Sequence, residues 1–144
     1  MKKLSIQIEN TLSEVNRLIL MVEEFGEKNY LPPETIFDIS LSLDELVTNI
    51  VSYGFKQGEK SKISIEIAIT EDEVAIELID NGIEFDPTKS VDPDITLPIE
   101  ERKIGGLGIF FVKQKMDDIL YERKNNQNVI KLIKKFNKNK KMEI

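Results

Sequence analysis

KISIEIAITEDEVAIELIDNG, residues 62–82, holds two runs of alternating apolar and polar side chains around a short acidic break. Ile63, Ile65, Ile67 and Ile69 share one face of the first run, and Val74, Ile76 and Leu78 share one face of the second. A period of two over this length is the pattern of half-buried strands, and Glu71-Asp72-Glu73 between them makes a turn, so the stretch reads as an antiparallel hairpin. It closes on Asp80-Asn81-Gly82.

On the N-terminal side, Leu4 to Ile8 alternate in the same way and give another strand. The period then changes. Val15, Leu18, Ile19, Val22 and Phe25 recur at helical spacing, with Thr11 or Ser13 as N-cap and Gly26 as a stop. Pro32-Pro33 opens a longer helix whose apolar residues Ile36, Ile39, Leu43, Leu46, Val47 and Ile50 run to Gly54. On the C-terminal side, residues 83–104 hold Pro87, Pro93 and Pro98 without periodicity and read as a long loop or lid. Gly105-Gly106-Leu107-Gly108 leads into a third helix with Ile109, Val112 and Met116. Strand-like pieces at about 118–123 and 128–135 flank a turn-forming Asn125-Asn126-Gln127-Asn128. This order describes an α+β domain, a two-layer sandwich of a mostly antiparallel sheet with helices on one face. The expected domain is 1–137, followed by a lysine-rich tail at 138–144.

Composition narrows the chemistry. The 144 residues fit one domain, and 40% hydrophobic with 32% charged residues is a globular balance. A net charge of −6 runs against duplex nucleic acid as a partner. The chain has neither Cys nor His, which removes thiolate and imidazole metal sites, cysteine nucleophiles and the Ser-His-Asp constellation. Carboxylates, Lys, Tyr and bound cations remain. No apolar run reaches the length of a membrane span and the N-terminus lacks a secretory pattern, so a cytoplasmic protein is expected.

Three groups of residues can carry chemistry. On the second helix, Glu45 and Asn49 are four apart and share a stripe with Asp38, Ser42 and Ser52, opposite the apolar face. Two readings stand for it: polar residues turned to water, or a carboxylate and an amide oxygen presented together to hold Mg²⁺ and polarise a hydroxyl. Asp80-Asn81-Gly82 is either a plain turn or an acid stationed to accept a hydrogen bond from an exocyclic amine, with Gly82 permitting close approach. Three glycines at a helix start form a hinge, or they let backbone N–H groups wrap phosphate with Arg102 and Lys103 adding charge. The last is not a Walker loop, because no Gly-Lys-Ser or Gly-Lys-Thr follows.

Taken together, in this order and spacing, the three groups resemble the asparagine box (Leu43 to Asn49) and the two glycine boxes (Asp80-Asn81-Gly82 with Phe85-Asp86-Pro87, then Gly105 to Gly108) of the GHKL ATPase and kinase superfamily. The chain is most similar to the anti-sigma factor serine/threonine kinases of bacterial partner-switching systems, over roughly residues 4–135. The resemblance implies a GHKL (Bergerat) fold, ATP and Mg²⁺ as cofactors, an antagonist protein and a sigma factor as partners, and a homodimer. It further implies that Asp80 reads the adenine amino group, Gly82 lines that pocket and Asn49 coordinates Mg²⁺. Gly105, Gly106, Leu107 and Gly108 would wrap the phosphates, Arg102 would contact the γ-phosphate, and Glu45 would act as the base. Tyr53 before Gly54 departs from the pattern, where these kinases commonly carry histidine. Other functions built on the same boxes are a non-catalytic ATP-gated interaction module and a histidine-kinase-type catalytic domain acting in trans.

Overall fold

The computed structural model describes residues 1–89 and 106–136. Within them the elements run β1 (Lys2–Glu9), α1 (Leu12–Lys28), α2 (Pro33–Tyr53), β2 (Lys62–Ile69), β3 (Glu73–Asp80), a single 3-10 turn (Pro87–Lys89), α3 (Gly106–Lys115), β4 (Asp118–Lys124) and β5 (Gln127–Lys135). The strands form one sheet in the order β1-β2-β3-β5-β4, each neighbouring pair antiparallel. The expected two-layer α+β architecture is therefore observed. From residue 90 on, the expected lid at 83–104 lies outside the described residues, as does the tail at 138–144.

Alternation places the core. Ile6 and Ile8 of β1, Ile63, Ile65, Ile67 and Ile69 of β2, Val74, Ile76 and Leu78 of β3, and Ile130 and Leu132 of β5 all turn to one side and are buried. Against them pack Val15, Leu18 and Val22 of α1, Leu43, Leu46 and Val47 of α2, and Val112 and Met116 of α3. Burial of such side chains is worth about 1.5–3 kcal/mol each, which is why one face of the sheet is committed to the helices. The β4–β5 connection is a two-residue turn in which Asn125 and Asn126 have φ of 52° and 61°, the left-handed conformation that asparagine tolerates and that matches strand twist.

Two local expectations change. Gly26 does not stop α1, which continues to Lys28; a side chain at Gly26 would run into Ile36, so its smallness serves the close approach of α1 and α2. The polar stripe of α2 is not turned to water along its length: Asp38 and Ser42 are 3% and 1% exposed, while Phe37 and Tyr53 are 64% and 61% exposed. The stripe instead descends into the corner between α2, α3 and β5, where Lys134 Nζ lies 3.2 Å from Asp38 Oδ2. Lys131, Lys134 and Lys135 belong to β5, in line with the strand expected at 128–135.

Candidate functional site

β3 ends by delivering Asp80 to the interior, 3% exposed. Its Oδ1 accepts a hydrogen bond from the Gly82 N–H at 2.9 Å, closing a tight turn, and a second from Asn128 Nδ2 at 3.0 Å. Oδ2 takes no part in either bond. Asn128 stands opposite Asp80 in the β3–β5 register and is itself 4% exposed. Its Nδ2 also donates to the Ile83 carbonyl at 2.8 Å, and its Oδ1 accepts from the Tyr121 hydroxyl at 2.6 Å and the Phe85 N–H at 3.3 Å. Burial, then the Glu84 carboxylate, pushes the Tyr121 phenol up, so it stays protonated and keeps donating. Every polar atom of the Asn128 amide is thus engaged, as a buried amide requires.

The turn after Asp80 is pinned from outside as well. Arg123 Nη1 donates to the Gly82 carbonyl at 2.9 Å, and the Ile83 N–H donates to the Gly54 carbonyl at the end of α2, also at 2.9 Å. A Cβ at Gly82 would lie 2.6 Å from that same Gly54 oxygen and 3.0 Å from Asp80 Oδ1. Glycine is required here by the closeness of two backbone segments, and the end of α2 is thereby fixed beside the Asp80 carboxylate.

On α2, Glu45 and Asn49 are half-buried one turn apart. Neither side chain has a hydrogen-bond partner among the described residues, although Asp44 next to them accepts one from Thr48 at 3.1 Å. Burial, with a smaller contribution from the Asp44 charge, pushes the Glu45 carboxyl up from the ordinary glutamate range. The wall it faces is Gly108 of α3, where any Cβ would overlap the Glu45 carboxylate. A carboxylate partly removed from water, with no donor among the described residues, takes up a proton more readily than one in solution. Gly106 is the first residue of α3 and Leu107 the second; Gly105 and Arg102 lie outside the described residues.

The site residues expected on α2, β3 and α3 thus fall into two linked clusters, Asp80-Gly82 at the strand end and Glu45-Gly108 between the helices. Three residues of the first cluster, Asn128, Tyr121 and Arg123, are not singled out by the sequence reading. Asn128 does leave a trace in the sequence, since it shares a face with Ile130 and Leu132 and is therefore a polar residue on the buried side of a strand. Among the described residues no group of three His, Cys, Asp or Glu side chains is placed to hold a metal ion. A cation there would be held by the Asn49 amide oxygen together with ligand oxygens, a donor set that suits Mg²⁺, which keeps most of its shell from water and phosphate. Also among the described residues, no helix is long and apolar enough to cross a membrane.

Known proteins share this fold and much of this sequence. Residues 8–134 match the family model described as the histidine kinase-like ATPase domain. The chain is 24% identical over 128 residues to a serine/threonine-protein kinase, BtrW, of Bordetella bronchiseptica, covering 89% of this chain and 90% of that one. It is 36% identical over 90 residues to the serine-protein kinase RsbW of Listeria monocytogenes, covering 60% of this chain and spanning 57% of that relative's length. Its fold resembles the crystal structure of the RsbU and RsbW domains of a Mycobacterium tuberculosis protein, with a TM-score of 0.68 at 16% identity, over 93% of this chain and 32% of that one. On the match across residues 8–134, the chain belongs to the histidine kinase-like ATPase domain family.

Proposed function

We propose that this chain is an ATP-dependent protein serine/threonine kinase that phosphorylates a small antagonist protein and regulates transcription by partner switching with a sigma factor. The observation that carries the reading is Glu45: half-buried, without a donor among the described residues, raised in pKa, and set against Gly108 in the first turn of α3. The names of the Bordetella and Listeria relatives support serine or threonine as the acceptor.

In this reading Asp80 Oδ2 accepts a hydrogen bond from the adenine amino group, with Gly82 leaving room for the ring. Asn49 holds Mg²⁺, which when bound neutralises charge on the phosphates. Gly105, Gly106, Leu107 and Gly108 offer backbone N–H groups at the helix start, where the dipole favours an anion, and Arg102 meets the γ-phosphate. Glu45 takes the proton of the attacking hydroxyl. Phosphoryl transfer asks for little more than positioning and charge neutralisation, so this small set suffices. The proposed assembly is a homodimer joined through the outer face of the sheet near β1, and the proposed location is the cytoplasm.

The test is a calorimetric titration of ATP with and without Mg²⁺, followed by transfer assays to candidate antagonist proteins across pH. Binding that needs Mg²⁺ and a phosphoserine or phosphothreonine product are expected; binding with no phosphoprotein would mark a nucleotide-gated interaction module instead. The rate of transfer is expected to fall on the acid side with an inflection above the ordinary glutamate value of 4.5, because the proton leaves Glu45 at higher pH than from a free side chain. The same shift has the opposite sense for stability. The folded chain binds this proton more tightly than the unfolded chain, so the contribution of Glu45 to stability is fullest below the unfolded value and is lost as pH rises through the folded one.

Gly108→Ala separates packing from chemistry. The overlap it creates is with the tip of a flexible side chain, and alanine is about 1 kcal/mol better than glycine inside a helix, so Tm is expected to stay within a few degrees. The Glu45 carboxylate, however, has to move, and transfer is expected to fall by about tenfold or more while the folded fraction is unchanged. A variant with wild-type rates would show that the carboxylate needs no fixed place.

A further inference from the structure

Lys134 continues the inward face of β5 beyond Asn128, Ile130 and Leu132, where a third apolar residue would be expected. Its side chain is 18% exposed and that of Asp38 is 4% exposed, so the pair at 3.2 Å is an ion pair largely removed from water. Lys134 Nζ also donates to the carbonyl of Lys115 at 2.7 Å. Lys115 is the last residue of α3, and its carbonyl is among those that a helix leaves without an internal partner. A cation at that end also suits the helix dipole. One ammonium therefore joins α2, α3 and β5.

A buried pair of this kind seldom stabilises a fold more than apolar residues of the same size would; its best-attested use is to fix register. The spacing here fits that use. Asp38 and Glu45 stand seven positions apart on α2, and Gly108 and Lys115 stand seven apart on α3. Glu45 faces Gly108, and Asp38 meets Lys115 through Lys134. The two helices thus run antiparallel, in contact at two points two turns apart on each. Apolar packing alone does not hold that register, because Ile109, Val112 and Met116 repeat at turn spacing and one can take the place of the next after a slip. The end of α3 is already tied to β5, since the Asp117 N–H donates to the Ile133 carbonyl at 2.9 Å and Asp117 Oδ2 accepts from the Lys135 N–H at 2.7 Å. What remains to be placed is the part of α2 that faces α3, since its far end at Gly54 is the part tied to Ile83.

We infer that Lys134 and Asp38 form a register lock that sets α2 against the α3–β5 corner, so that glycine and no larger residue faces the Glu45 carboxylate. Lys134 is a positioning residue in this scheme and touches no substrate. A slip by one turn, about 5.4 Å, would bring Val112 toward Glu45 in place of Gly108. The consequence for catalysis rests on the kinase reading; the consequence for helix register does not.

Both consequences can be read in one set of variants. The chain has no cysteine, so Ser52→Cys and Gln114→Cys, both at exposed positions, carry spin labels on α2 and α3 in an otherwise unaltered background. Lys134→Met alone leaves Asp38 buried without its partner and risks unfolding, so the informative variant is Asp38→Asn with Lys134→Met, which removes both charges. A single narrow distance is expected in the wild type and in Lys134→Arg. In the double variant a distribution broadened or displaced by about one turn is expected, with transfer down by about tenfold or more and ATP affinity within about threefold. An unchanged narrow distance in the double variant would overturn the lock, as would a displaced distance with undiminished transfer. Wild-type protein that transfers no phosphate would defeat the kinase reading, while the label distances would still decide the register.

Discussion

Glu45→Gln is expected to lower phosphate transfer by about 10²- to 10⁴-fold, the range that a general base contributes, while ATP affinity stays within about threefold. The substitution keeps volume and shape, so the contact with Gly108 survives and α3 need not move. It removes the charge that burial has already made costly, so no loss of stability is expected above the folded pKa of Glu45. Single-turnover transfer measured beside an ATP titration checks both halves. Undiminished transfer would strip Glu45 of the base role, and a parallel fall in affinity and rate would make it a binding residue. The substituted amide cannot take up a proton near neutral pH, so any residual rate should lose the acid-side inflection as well.

Asp80→Asn is expected to weaken ATP binding by about 10- to 100-fold, the worth of a charge-assisted hydrogen bond of about 1.5–3 kcal/mol. The fold should tolerate the change. An amide oxygen can occupy the Oδ1 position and still accept from the Gly82 N–H and from Asn128 Nδ2, which preserves the turn. The amide nitrogen must then occupy the Oδ2 position, where a donor would face the donor of the adenine amino group. Calorimetry reads the affinity and thermal unfolding reads the fold. Retained affinity would remove Asp80 from the nucleotide site, and a collapse of Tm would reassign it to structure alone.

Much of this molecule is legible in the order of its residues. Alternation in residues 62–82 marks the hairpin at the centre of the sheet, the period change near Thr11 separates β1 from α1, and Pro33 marks the start of α2. These features are local, so they survive in a one-dimensional string. The α2 stripe misleads for a physical reason: Asp38 and Ser42 are polar but buried, and a polar residue satisfied by a partner far away in sequence looks like one satisfied by water. Lys134 is that partner for Asp38, and in the sequence nothing sets it apart from the other lysines of its strand. Asn128 reads as a turn residue because three of its neighbours, Asn125, Asn126 and Gln127, do make the turn or flank it. Its role shows only when the β3–β5 register sets it opposite Asp80. The expected site residues on α2 and β3 need one helix or one strand end to recognise; the residues that hold them in place come from other elements.

The pairing of β3 with β5 has a consequence for the order of events during synthesis. The bond between Asp80 and Asn128 joins residues 48 apart, and β1 finds its partner β2 only across both helices. Such non-local contacts are made late, after loop entropy has been overcome. A nascent chain halted before Asn128 emerges would already display Glu45 and Asn49 on a helix, yet Asp80 would have no amide to hold it. The site is completed by the last strand to arrive, so nucleotide capture should report on a finished fold and an immature chain should draw nothing from the cell's nucleotide pool.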